Sequence, residues 1–380
     1  MRRALLAVVA LAAALAAPVQ ASGDATRTAT QPRVDAAAYY LVGGDGAVLA
    51  TYHARERRPI ASITKLMTAV VTVERADLSE VVSVTPRAAA VGGSTVFLRA
   101  GEQLSVAQLL RAMLVRSAND AAEMLAIHVG KGSVSRFVAE MNEMAAELGL
   151  SDTHFANPHG LDAPGHLSTA RDTTILVRYA LGVPVIRDAL ARTSVSLPGG
   201  REFPSTDDLV STWKPLVGGK TGHTDDAGWS QAAAAAARGV TVYGSVLGTD
   251  GRLERNRALR TLLSYGLERY RRVAVIDAHR AYGQAETGYG RPPVELVAPR
   301  TVARALRRGT PLVERVVRPD SVSLPVHAGA RLGRVEVYAG NELVASSSLV
   351  AASSIAEPGL WGKVTWFAST TASNLWGLVT

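Results

Sequence analysis

No cysteine occurs among the 380 residues, which excludes disulfides, thiol nucleophiles and thiolate metal sites. Aromatic residues make up only 5% of the chain, and lysine is rarer: five of the 41 basic residues are lysine, the rest arginine. No basic cluster interleaved with aromatics occurs, which argues against nucleic acid as a partner. No histidine pair has zinc-ligand spacing with a supporting acid, and the carboxylates give no paired-acid signature. The apolar run at residues 4–17 is too short to span a bilayer comfortably.

What remains is an ordinary globular composition, 47% hydrophobic and 19% charged, long enough for two domains. The formal net charge of +8 favours acidic surfaces such as anionic lipid or wall polymers, although solvated surface arginine accounts for most of it.

The start of the chain has the pattern of an export signal. Arg2 and Arg3 precede the apolar run, and Val19-Gln20-Ala21 supplies small residues for cleavage, so residues 1–21 are expected to be removed. Residues 22–36 are polar and form an expected linker. Segments 38–42 and 48–52 flank Gly43-Gly44-Asp45-Gly46, a hairpin signal. A helix is expected from near Ser62. Ser105 followed by Gln108 has the form of a capping box opening a helix through Leu114. Further helices are expected at 120–128, 134–148 (stopping at Gly149) and 169–181. Segments 230–237 and 240–247 are expected to pair around Arg238-Gly239, and 257–270 to be helical. Strands enclosing a helical middle, with a closing helix, predict an α+β fold built on an antiparallel sheet.

Beyond Arg272, short alternating segments at 273–276, 294–297, 321–326, 334–338 and 343–350 predict a small all-β domain. In residues 358–380, Leu360, Trp361, Val364, Phe367, Leu375, Leu378 and Val379 share one face at the helical period, which predicts an amphipathic helix lying on a membrane surface. The domain scheme is therefore 37–271, 272–355 and 356–380.

Three short motifs carry the chemistry: Ser62-Ile63-Thr64-Lys65, Ser117-Ala118-Asn119 and Lys220-Thr221-Gly222. Residues three apart on a helix share a face, so Ser62 and Lys65 bring a hydroxyl beside an amine. A serine hydroxyl needs a neighbouring base to become a nucleophile. Lysine can be that base once burial or a second cation lowers its pKa; arginine cannot. Lys220 is a candidate for that second cation. His223 invites a triad, but its position fits a turn after Lys220-Thr221-Gly222, where backbone matters more than ring. His154 and His159 flank Asn157-Pro158 in an expected structural loop, and Asp225 and Asp226 are expected turn residues.

In this order the motifs, with residues 93–98, 117–123, 155–161 and 220–228, resemble the low-molecular-mass penicillin-binding proteins of the D-alanyl-D-alanine carboxypeptidase type. The resemblance covers nearly the whole chain, including the β domain and tail, and implies a β-lactamase/transpeptidase-like fold with a helical subdomain. It implies Ser62 as acylated nucleophile, Lys65 as base, and Ser117 as proton relay to the leaving D-alanine. Asn119 would bind the substrate amide and position Lys65. Lys220 and Thr221 would receive the terminal carboxylate with help from Arg255, and Gly222 would be a substrate-binding residue beside them. Backbone amides of Ser62 and His223 would form the oxyanion hole. It implies no cofactor or metal. The expected partners are peptidoglycan stem peptides ending in D-Ala-D-Ala, β-lactam antibiotics and a membrane surface; the expected location is the outer face of the cytoplasmic membrane, in the periplasmic or wall space. Two alternatives stand beside this. One is a β-lactamase, disfavoured because residues 153–161 hold no glutamate to activate a deacylating water. The other is a non-catalytic wall-binding or antibiotic-sensing module.

Overall fold

The computed structural model describes residues 31–376. The expected leader at 1–21, most of the 22–36 linker, and residues 377–380 lie outside the described residues. The central sheet has five antiparallel strands in the order Val48–Tyr52, Ala38–Gly43, Val240–Thr249, Gly228–Ala237 and Leu216–Thr224. The two expected hairpins are present. Arg238 (φ 54) and Gly239 (φ 79) turn the second with the paired positive φ values that match strand twist.

The alanine-rich strand Gly228–Ala237 explains the layering. Successive side chains point to opposite faces, and small residues let helices approach both. Ala232 and Ala234 join a core with Leu66, Val70, Ala121 and Leu176 from the helical layer. Ala233 and Ala235 join a second core with Leu259, Leu262 and Leu263 on the other side.

The helical layer comprises Lys65–Arg75, Val106–Val115, Asn119–Val129, Val134–Glu147 and Ala170–Gly182. The Ser105/Gln108 capping box is formed in both directions. Gly149 takes φ 68 just past the fourth of these helices, as the stop signal required. A short helix, Pro184–Leu190, and the hairpin Ser194–Leu197/Arg201–Pro204 were not expected.

The helix expected at 257–270 instead spans Arg252–Glu268. Its first turn is exposed and charged, so it carries no apolar periodicity, and Gly251 ahead of it adopts an extended cap. Tyr270 already belongs to the next strand, Tyr270–Ile276. The remaining strands form a two-stranded pairing of Tyr270–Ile276 with Val302–Arg307 and a six-stranded sheet containing Val294–Val297, Arg331–Ala339 and Glu342–Ala351. They enclose a third core of Ile276, Val294, Leu296, Val335 and Leu349. The strand expected at 321–326 shrinks to Ser321–Val322, and Pro325 has no N–H with which to continue it. The fold is thus α+β, as expected, and the described residues close with the helix Leu360–Trp376.

Candidate active site

Ser62 lies where Ala61–Thr64, a tight 3₁₀ turn, runs into the helix Lys65–Arg75. The sequence predicted a helix from near Ser62; the α-helix begins at Lys65, and Ser62 lies in the 3₁₀ turn that leads into it. The turn keeps Ser62 and Lys65 on one face and exposes the serine at the helix entrance. Ala61 takes φ 46 to make this bend. Two glycines allow the chain to fold onto it. A Cβ on Gly160 would lie 2.0 Å from the Ala61 carbonyl oxygen, and one on Gly222 2.7 Å from the Ile60 carbonyl oxygen.

Lys65 has 0% exposure. Its Nζ lies 2.7 Å from Ser62 Oγ, 2.7 Å from Asn119 Oδ1 and 2.5 Å from the His159 carbonyl oxygen. Burial holds the amine well below its usual 10.5; Lys220 pushes it the same way and Asp120 opposes. Asn119 is itself fixed. Its Nδ2 donates to the Gly92 carbonyl at 2.7 Å and its backbone N–H to the Ser94 carbonyl at 2.7 Å. The loop at 155–161, expected to be structural, contributes directly through the His159 carbonyl. The His159 ring is half-buried beside Glu123, and this desolvation drives its pKa down to about 3.

Ser117 occupies the bend between two helices with φ 64, an uncommon conformation for serine. Its Oγ accepts from Lys220 Nζ at 2.9 Å. Lys220 is 1% exposed, reaches from the sheet edge strand, and donates also to the Thr221 carbonyl at 2.9 Å. Burial lowers its pKa to about 7 against an opposing pull from Asp207. Thr221 Oγ1 meets Thr206 Oγ1 at 2.9 Å.

Arg255 is 2% exposed, the largest fully buried side chain, and reaches the same cleft. Its guanidinium bonds Asn256 Oδ1 at 2.6 Å, stands 3.7 Å from Asp208 and lies 5.7 Å from the Trp229 ring centre. Asp207, buried, accepts from Gln231 Nε2 at 2.7 Å and from the Leu209 N–H at 3.0 Å. Sequence reasoning missed Thr206, Asp207, Asp208 and Trp229. The adjacent pair Asp207-Asp208 was a signal; Asp208 braces Arg252 and Arg255, and Asp207 holds Gln231.

His223 sits within the strand Leu216–Thr224, its ring tilted against that of Trp229 with centres 4.0 Å apart; the turn begins only at Asp225. The expected turn at 223 is therefore corrected: the edge strand runs straight past Ser62. No bond joins its ring to Ser62 among the described residues, so it forms no triad. Ser62, Ser117, Thr221, Gly222, His223 and Arg255 line one cleft of about 680 Å³. A larger depression of about 1160 Å³ beside the helix Arg252–Glu268 holds none of these motif residues.

A serine served by a buried lysine, on an antiparallel sheet flanked by helices, defines the class: a serine hydrolase that needs no histidine base. Residues 25–251 match the D-alanyl-D-alanine carboxypeptidase family, peptidase family S11, and the chain belongs to it. It is 30% identical over 382 residues to D-alanyl-D-alanine carboxypeptidase DacD of Salmonella typhimurium, spanning 96% of this chain and 97% of that protein. The structure of penicillin binding protein 5 from Haemophilus influenzae is similar at TM-score 0.63 and 27% identity, covering 87% of this chain and 100% of that one. The Streptomyces K15 DD-transpeptidase is similar at TM-score 0.60 and 29% identity; it covers 63% of this chain and 99% of its own.

Proposed function

We propose that the chain removes the terminal D-alanine from peptidoglycan stem peptides through an acyl-enzyme on Ser62. The observation that carries this is the setting of Lys65. A neutral amine has two hydrogens and one lone pair. Asn119 Oδ1 and the His159 carbonyl accept the two hydrogens, which leaves the lone pair for the Ser62 hydroxyl 2.7 Å away. As Ser62 Oγ bonds to the carbonyl carbon between the two D-alanines, its proton passes to Lys65 Nζ. The developing oxyanion takes hydrogen bonds from the backbone amides of Ser62 and His223. As the C–N bond breaks, Lys65 gives the Ser62 proton through Ser117 to the departing D-alanine nitrogen, while Lys220 keeps its charge and donates to Ser117 Oγ. Lys220, Thr221 and Arg255 hold the terminal carboxylate. Water then cleaves the Ser62 ester.

Penicillin acylates the same serine, and its opened ring stays tethered and shields the ester. The test is intact-mass analysis after exposure to penicillin. A single adduct mapping to Ser62, absent in Ser62→Ala, is expected; an adduct that survives in Ser62→Ala refutes the assignment.

The same reading divides the chain into 37–271 for catalysis, 272–355 as a β-rich domain and 356–380 as a membrane-surface helix, in a protein exported across the membrane. The separate β core supports the division, as does the K15 transpeptidase, whose full length matches 63% of this chain. Leu360 and Trp361 at 84% exposure, with Val364 and Phe367 exposed beside them, support a surface-lying helix. Among the described residues no helix is long and apolar enough to cross a membrane.

A further inference from the structure

Among the residues lining the active cleft, Trp229 is the one large apolar side chain; the others are serine, threonine, glycine, proline, His223 and charged groups. Trp229 stands directly across from His223 where the edge strand pairs with Gly228–Ala237, and Gln231 stands across from Thr221. Residues two apart on a strand, and residues paired across strands, share a face, so Thr221, His223 and Trp229 lie on one side of the sheet. A β-bulge aims the indole. Trp229 pairs with Thr249 while Gln231 pairs with Val246, so one extra residue is fitted into the neighbouring strand. Gly248 takes φ 67 inside the bulge, and its N–H donates to Ser230 Oγ at 3.0 Å. Thr249 Oγ1 donates to the Trp229 carbonyl at 3.0 Å, which pins the backbone that carries the ring.

The indole stands between two groups that hold opposite ends of the departing residue. Its ring lies 4.0 Å from that of His223, centre to centre, and 5.7 Å from the guanidinium carbon of Arg255. In the reaction proposed above, the His223 N–H meets the oxyanion at the scissile carbonyl and Arg255 meets the terminal carboxylate. The last residue of the substrate spans those two points, and its Cα carries the one side chain in between.

We infer that Trp229 is the wall against which the side chain of the departing residue packs, and that it restricts this residue to a small one. This rests on the carboxypeptidase reading above. A methyl group buries itself against the indole face, the one large apolar surface the cleft offers. A branched side chain needs the space the indole fills. The ring cannot swing aside freely, because His223 and Arg255 flank it and the bulge fixes its backbone.

The experiment measures kcat/KM for acetyl-Lys-D-Ala-D-Ala and acetyl-Lys-D-Ala-D-Leu in the parent chain, Trp229→Phe and Trp229→Ala, with thermal midpoints for each. The parent is expected to release D-alanine in preference to D-leucine by about 100-fold. Trp229→Ala is expected to cut that preference by at least about tenfold: D-leucine release rises, while D-alanine release falls about threefold as Arg255 loses its ring contact. Trp229→Phe keeps a ring beside Arg255 and is expected to shift the preference the same way by about threefold. It decides the matter if the alanine variant does not fold. Equal loss on both peptides, which a role confined to holding Arg255 would give, overturns the inference. So does a preference unchanged in the folded variants, or a parent chain that releases both residues equally well. Absence of D-alanine release by the parent chain overturns the carboxypeptidase reading itself and the wall with it.

Discussion

Lys220 Nζ lies 2.9 Å from Ser117 Oγ, joining the sheet edge to the bend between two helices. This bond ties the two halves of the cleft together and puts a second cation close to Lys65. Lys220→Gln should lose carboxylate capture, raising KM and cutting kcat/KM by at least about 100-fold, because a charge-assisted partner vanishes. Kinetics on a D-Ala-D-Ala peptide check this; a variant with parental KM would remove Lys220 from carboxylate binding.

The two depressed lysine pKa values predict a bell-shaped pH profile. Acylation rises as Lys65, held low by burial, loses its proton. Loss of charge on Lys220, whose pKa is lowered to about 7, makes kcat/KM fall on the alkaline side. Lys220→Arg should move that alkaline fall upward, since guanidinium keeps its proton. A fall left unmoved in Lys220→Arg assigns it to another group.

Gly160 carries φ +87 and sits against the Ala61 carbonyl. Gly160→Ala combines an unfavourable backbone with a clash at the nucleophile's own turn. It should lower stability by about 1–3 kcal/mol and slow acylation of Ser62 by more than tenfold. Denaturation and penicillin-labelling rates measure the two effects separately. A variant that labels at the parental rate would show that the turn tolerates the shift.

His159 and His166 make the fold acid-sensitive. Burial lowers their pKa values from 6.5 to about 3 and about 4. His166 holds its place neutral: Nδ1 accepts from the Ala156 N–H at 2.9 Å while Nε2 meets Thr64 Oγ1 at 2.7 Å. The unfolded chain therefore binds more protons below pH 6.5. Stability is complete above that value and declines as pH falls toward 4. Thermal midpoints from pH 7.5 to 4.5 test this, and a midpoint that rises on acidification contradicts it.

Much of this site was legible because its chemistry is local in sequence. Ser62 with Lys65 and Ser117 with Asn119 need only a helical turn or a tight bend to meet. Helix boundaries followed from caps such as Ser105/Gln108. Three things were hidden. Arg252–Glu268 begins on exposed charge, so no apolar period marks its start. His223 looked like a turn residue because Gly222 precedes it, yet Gly222 is there so that the strand can pass Ile60 and Ser62 closely. Asp207 and Thr206 act through contacts with Gln231 and Thr221 at distances in sequence that no local pattern encodes.

Removing residues 359–380 should leave activity on soluble peptides intact and weaken binding to anionic vesicles, because the exposed Leu360, Trp361, Val364 and Phe367 go with it. Vesicle co-sedimentation checks this. Equal binding by the truncated chain would place the membrane contact elsewhere.

The single-turnover acylation rate of Lys65→Arg is the measurement that bears most directly on the whole account. Arginine keeps the positive charge and can reach the same acceptors, but at no accessible pH does it offer a lone pair. The rate is predicted to fall by at least about 1000-fold, within the range general-base and nucleophile activation together supply. Acylation at the parental rate would mean that some other group takes the Ser62 proton.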